Sequence, residues 1–266
     1  MADIQGSVLD LREMDDLAQM DSPIHRLHPL SKLFVTAVYL FTVVSFPKYA
    51  LTALFPMILY PALLFALSGV SAGTCFRKLR FILPLLLAVG VFNPFLDREP
   101  LFRLGTLAVS GGTVSFLSLM LKGVCCLTAA FLLAATTTLD SLCAALRQLR
   151  LPRFFVTLLL LTFRYVSVML DELAAMNTAY RLRAPGQKGI RRNAWGSFLG
   201  QLLLRSMDRA EELYSAMQLR GFHGEFHYAR PAPIRAADVL FAAAASAVIL
   251  LFRFLNVSRL LGALWM

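Results

Sequence analysis

The stretch Phe154–Leu170, FFVTLLLLTFRYVSVML, decides how many times this chain crosses a membrane. It is apolar over about 17 residues, the lower limit for a spanning helix. Arg164 stands near its centre, where a charge facing lipid costs about 2.5–3.5 kcal/mol even on the most lenient scale. A span here would also carry the arginine-rich stretch Arg181–Arg235 to the far side. The segment therefore reads as a helix buried against protein, at or just below the membrane face, and the spans are counted without it.

Outward from this segment the chain is mostly apolar. Of 266 residues 58% are hydrophobic and 16% charged, well short of the quarter charged that soluble domains carry. Five segments read as spans: Leu33–Phe46, Ala50–Gly69, Phe81–Leu96, Thr113–Thr136 and Val239–Leu255. The first is short unless Leu30–Lys32 join it, and Pro47 stops it. Pro56 and Pro61 should kink the second, and CFRKLR (Cys75–Arg80) reads as a basic stop before the third. With the N-terminus in the cytoplasm, most of the 26 Lys and Arg residues fall in the N-terminal arm, Ser71–Arg80 and Thr137–Arg235. That asymmetry favours these segments as the inside ones, so the net charge of +10 reports topology and calls for no nucleic acid. The acidic start is no signal peptide.

The expected fold is an all-α membrane protein of about five transmembrane helices plus a cytoplasmic module of one short and two long helices. Three parts follow: residues 1–136 with the N-terminal arm and four spans, 137–235 as the module, and 236–266 with the last span. Within the module, Leu139–Leu151 is amphipathic and ends at Pro152; longer helices run from about Arg153 to Arg183 and from about Asn193 to Arg220. At 1.5 Å per residue each long helix reaches roughly 45 Å, far beyond a connector's needs.

Both long helices end in the same pattern: Ala179…Leu182-Arg183-Ala184 and Ala216…Leu219-Arg220-Gly221. Pro185-Gly186 and Gly221 are stop signals, and an arginine in a last turn faces the negative end of the helix dipole. Singly, each is a routine C-cap. As a pair, with small neighbours that leave the guanidinium little cover, they suit bidentate capture of carboxylates. Two such forks on neighbouring helix tips would plug two acidic grooves on a partner. Arg181 can assist the first, whereas the second copy has uncharged Gln218 at the equivalent place.

Other residues invite weaker readings. His223 and His227 are four apart but accompanied by Gly221 and Gly224, with no third ligand evident, so a solvated loop is favoured over a metal site. His25 and His28 suit packing or polar capping. Lys122 lies inside a span and either pairs within the bundle, contacts another subunit or snorkels outward. Arg164, Asp171 and Glu172 should form charge contacts, as should Arg205, Asp208, Arg209 and Glu212. The four cysteines read as small core residues. Ser and His show no nucleophile arrangement, and no HExxH occurs. No enzyme and no cofactor is expected.

Three blocks resemble the transmembrane scaffold, or T component, of energy-coupling-factor importers, particularly the CbiQ-type cobalt subunit. They are SPIHRLHPLSKL (Ser22–Leu33), similar to a Leu-Asp-Pro-x-x-Lys entry with His28 in place of aspartate, TTTLDSLCAALRQLRLP (Thr136–Pro152) with LLLTFRYVSVMLDEL (Leu159–Leu173), and the arginine pair. Leu182-Arg183-Ala184 departs from a strict Ala-Arg-Gly. The resemblance implies docking of Arg183 and Arg220, flanked by Ala179, Arg181, Leu182, Ala184, Ala216, Leu219 and Gly221, into two ABC-type ATPase subunits. It also implies a separate substrate-binding integral membrane subunit, residence in the cell membrane, and cobalt ahead of nickel or a vitamin as cargo. ATP hydrolysis belongs to the partners, and no GxxxxGK[ST] loop occurs here. The alternative is a permease that itself binds and conducts a metal ion or small solute, which would need polar groups facing one another at mid-membrane; chiefly Lys122 and Asn93 are available.

Overall fold

The computed structural model describes residues 13, 16–93, 100–104, 107–187, 189–222 and 233–254. Its contacts divide the chain into two compact units, Leu17–Thr138 with Ala232–Met266, and Met1–Asp16 with Leu139–Pro231.

The first unit is a helical bundle built on α1, Pro29–Val44. Proline at the first helical position needs no N–H there, and His28 caps the end by accepting from the Leu30 N–H at 3.2 Å. α2 covers Leu51–Ser68 but narrows to a 3-10 turn over Phe55–Ile58. The cause is local. Pro61 lacks the N–H that would bond the Met57 carbonyl, and the Tyr39 hydroxyl donates to that carbonyl instead at 2.9 Å. Gly69 closes α2 at φ +69°. Val35, Tyr39, Val43 and Phe46 of the α1 segment pack with Leu54, Met57, Cys125, Ala129 and Ile249 as the core.

α3 runs from Ala72 to Val91 with Pro84 inside. It passes straight through Arg77, Lys78 and Arg80, so the basic cluster does not stop the helix; lysine and arginine are good helix formers and start it on the polar side. Pro94 and Leu96, the expected end of that span, lie outside the described residues. A short antiparallel hairpin follows, β1 (Pro100–Leu104) with β2 (Leu107–Ser110). α4 spans Gly111–Thr136 and packs closely on α3: a Cβ at Gly123 would strike Leu86, and one at Gly90 would come within 2.8 Å of Phe116. α8, Ala236–Phe254, completes the bundle against α1.

The second unit holds α5 (Leu139–Gln148), α6 (Arg153–Arg183), a 3-10 turn at Arg192–Ala194 and α7 (Trp195–Leu219). The turn from α5 to α6 forces Arg150 to φ +60°, the one non-glycine residue at positive φ among those described.

Four helices are long and apolar enough to cross a membrane: α2, α4, α6 and α8; α1 and Ile82–Val91 are shorter apolar helices. Apart from the β1–β2 hairpin its elements are helical, and the chain is of the all-α class, a multi-pass membrane protein. The sequence reads α6 as buried against protein; this chain itself covers little of it, since Val156 is its one buried residue and Phe154 and Phe155 are 70% and 63% exposed.

Candidate partner-docking site

The two arginine ends are built differently. α6 ends at Arg183 with Ala184 at φ −127°, its N–H bonded to the Tyr180 carbonyl at 3.1 Å. Pro185 cannot continue the helix, and Gly186 takes φ +87°. The Tyr180 hydroxyl then donates to Gln187 Oε1 at 3.1 Å and accepts the Arg191 N–H at 3.3 Å, drawing the loop back to the helix end. α7 ends in a Schellman motif. The Gly221 N–H bonds the Gln218 carbonyl at 2.9 Å, the Phe222 N–H bonds the Met217 carbonyl at 3.0 Å, and Gly221 sits at φ +80°.

Both endings present the same surface. Ala179, Arg181, Leu182 and Arg183 are exposed on the first, with Ala184 half-buried; Ala216, Leu219, Arg220 and Gly221 are exposed on the second. Leu182 is 78% exposed and Leu219 90%. An uncovered leucine beside an uncovered arginine offers apolar area and a bidentate charge to the same partner.

Their placement corrects the expectation of neighbouring tips. The Tyr180–Arg191 bond starts α7 beside the end of α6, and an ion pair between Glu172 and Arg205 ties the helices further along. Helix α7 therefore leads away from Arg183, and at 1.5 Å per residue Arg220 stands roughly 30–40 Å from it. The sequence shows two matching ends; the loop chemistry that separates them resides in Tyr180, whose role no spacing rule signals. Of the other charge contacts expected, Arg209 and Glu212 pair at 3.3 Å, whereas Arg164 is exposed.

Cations within the bundle find carbonyls. Lys122 Nζ donates to the Phe46 carbonyl at 2.5 Å, and Arg253 donates to the Ser45 carbonyl at 3.0 Å while lying over the Phe46 ring. Lys32, 6% exposed, donates to the Thr136 carbonyl at 2.6 Å. Each acceptor lies at the C-terminal end of a helix, where carbonyls lack intrahelical partners and the dipole is negative. Within this chain Lys122 thus reaches a backbone carbonyl at the Phe46 end of the α1 segment, next to the Pro47 corner. His28 is a cap, as anticipated, and does what an aspartate would do at that place.

No group of three metal-capable side chains occurs among the described residues; His223 and His227 lie outside them. The letters Gly69-Val70-Ser71-Ala72-Gly73 fit GxSxG, but they join two helices with Ser71 at the start of α3. A nucleophile elbow requires a strand before the turn.

Comparison with known proteins places these features in a family. The model for CbiQ, the cobalt transport protein, matches residues 20–228. The chain is 34% identical over 111 residues to the cobalt transport protein CbiQ of Rhodobacter capsulatus, covering 41% of this chain and 45% of that one. It is 28% identical over 256 residues to the energy-coupling factor transporter transmembrane protein EcfT of Bacillus selenitireducens, covering 85% and 93%. It is also 33% identical over 95 residues to the nickel permease LarQ of Lactiplantibacillus plantarum, covering 36% of this chain and 34% of LarQ. With that family model matching most of its length, the chain belongs to the CbiQ cobalt transport family, as a multi-pass membrane subunit of an energy-coupling-factor type transporter.

Proposed function

We propose that this chain is the coupling subunit of an ATP-driven importer. Its second unit lies on the cytoplasmic side together with the N-terminus. Arg183 and Arg220 each dock into one of two ABC-type ATPase subunits. The bundle of Leu17–Thr138 and Ala232–Met266 passes the resulting motion to a separate substrate-binding membrane subunit. The observation that carries this reading is the pair of exposed Leu-Arg helix ends, set roughly 30–40 Å apart by the length of α7. Two separated tips give each ATPase subunit its own contact. Long helices suit the task because a rigid element carries a displacement with little loss.

Cobalt is the favoured cargo, on the printed names of the family model and the Rhodobacter relative. The alternative, a permease that itself conducts the ion, is disfavoured by electrostatics. Lys32, Lys122 and Arg253 place positive charge in the bundle and are satisfied by carbonyls. The Thr42, Thr128 and Thr136 hydroxyls bond carbonyls of their own helices at 2.6–2.7 Å. A divalent cation would meet repulsion from these charges.

Truncating one partner of a buried charged contact costs about 2–5 kcal/mol. Arg183→Ala with Arg220→Ala should therefore release both ATPases from a detergent-purified complex, with the spans still inserted. Co-purification at wild-type yield, together with normal ATP-driven cobalt uptake, would refute the docking role.

A further inference from the structure

The chain crosses between its two units three times, after Asp16, after Thr138 and after Pro231. One short segment, His25–Lys32, bonds to the first unit's chain beside all three crossings. His25 Nε2 meets the Leu17 carbonyl at 3.0 Å, one residue past the first crossing. The same nitrogen meets the Ala135 carbonyl at 3.3 Å, and Lys32 Nζ donates to the Thr136 carbonyl at 2.6 Å, so the end of α4 is gripped two residues before the second crossing. At the third, the Asp238 carboxylate accepts the His28 N–H at 2.9 Å through one oxygen and the Arg235 N–H at 2.9 Å through the other. Asp238 thereby caps the start of α8 and ties it to the start of α1.

The chemistry fixes the roles. The Ser22 hydroxyl lies 2.7 Å from His25 Nδ1. With that nitrogen accepting, the His25 proton stands on Nε2, where it is shared by the two carbonyls. Lys32 is buried beside a carbonyl at a helix C-terminus, the place where a cation is favoured without a carboxylate. Pro29 at the start of α1 and the His28 cap make the segment rigid.

We infer that His25–Lys32 is a clasp that immobilises all three chain crossings, with Lys32 as its main positioning residue. Motion arriving along the second unit's covalent connections is then delivered to α1, α4 and α8 together, and is not absorbed by fraying at the joints. This rests on the coupling reading above, and it assigns to the Pro-x-x-Lys entry a role that the docking tips do not supply.

The test uses the complete complex reconstituted in liposomes, with cobalt(II) and nickel(II) as transported probes, scored as ion accumulated per ATP hydrolysed. Lys32→Met should keep both ATPases bound and hydrolysing while the ratio falls about tenfold, the equivalent of one charge-assisted hydrogen bond. Lys32→Arg, which retains a donor for the carbonyl, should restore most of it. His25→Phe keeps the ring and removes the N–H; it should lower the ratio by a smaller factor, and it decides the matter if Lys32→Met does not assemble. An unchanged ratio in an assembled Lys32→Met complex, or in His25→Phe where the former is lost, overturns the clasp. If the clasp variants transport normally while the double arginine variant is uncoupled, only the clasp fails. If the double arginine variant transports normally, the coupling reading itself fails.

Discussion

Arg220 depends on a backbone conformation one residue away. Gly221 holds φ +80° with open space around it, so a side chain there is opposed by the backbone alone. Gly221→Ala should cost about 1–2 kcal/mol at this helix end. The expected outcome is faster amide exchange over residues 217–222 and weaker ATPase retention although Arg220 is intact. Arg183 relies on a side-chain latch instead, so Tyr180→Phe should loosen the first tip and leave the second unaltered. Cys143 illustrates the inert end of residue chemistry. It is 1% exposed, and burial, with Asp140 adding to it, pushes its thiol above the ordinary range. At pH 7.5 maleimide should modify it about tenfold or more slowly than a free thiol, with the rate recovering on denaturation. The sequence shows the arginines, the glycine and the cysteine plainly, because each acts through its own chemistry or that of its immediate neighbours.

At the scale of the element, α3 and α4 are joined by the absence of side chains. Gly123 admits Leu86, and Gly90 admits Phe116 and Met120. Gly123→Ala should lower the complex's thermal midpoint through overpacking worth about 1–3 kcal/mol. Adding Leu86→Ala should recover part of that loss, a coupling that a double-mutant cycle reads directly. The same elements show what periodicity leaves open. Pro56 and Pro61 announce an irregular α2, and a 3-10 turn is present; that Tyr39 repairs it from α1 is not written in either segment. The basic cluster at Arg77–Arg80 reads as a boundary because charge and hydropathy change there. Helix geometry takes no notice of that change, and α3 continues through it.

For the whole molecule, topology turns on the side of the membrane to which α6 delivers its arginine end. α6 is apolar and long enough to span, whereas Arg164 and the basic stretch beyond it argue for the cytoplasmic face. Single cysteines placed at Lys48, Ser71 and Gln187, all exposed, separate the two arrangements. An impermeant maleimide added to whole cells should label the Lys48→Cys variant, and should label Ser71→Cys and Gln187→Cys only after permeabilisation. Labelling of Gln187→Cys from outside would make α6 a span and remove its arginine tip from any cytoplasmic ATPase.

The sequence by itself determined the helical, membrane-embedded class, three of the spans (α2, α4 and α8), the two long helices α6 and α7 and the matched arginine ends. These follow from hydropathy, proline and glycine, which act over a turn or two of chain. Tertiary structure alone decided that the tips stand at opposite ends of a helix pair, that α6 leaves Phe154 and Phe155 uncovered, and that Lys32, Lys122 and His25 hold helix ends. The physical reason is that their acceptors are backbone carbonyls. Every residue carries one, so no pattern of side chains marks which carbonyl, 76 or 104 positions away in the cases of Lys122 and Lys32, a buried cation will meet.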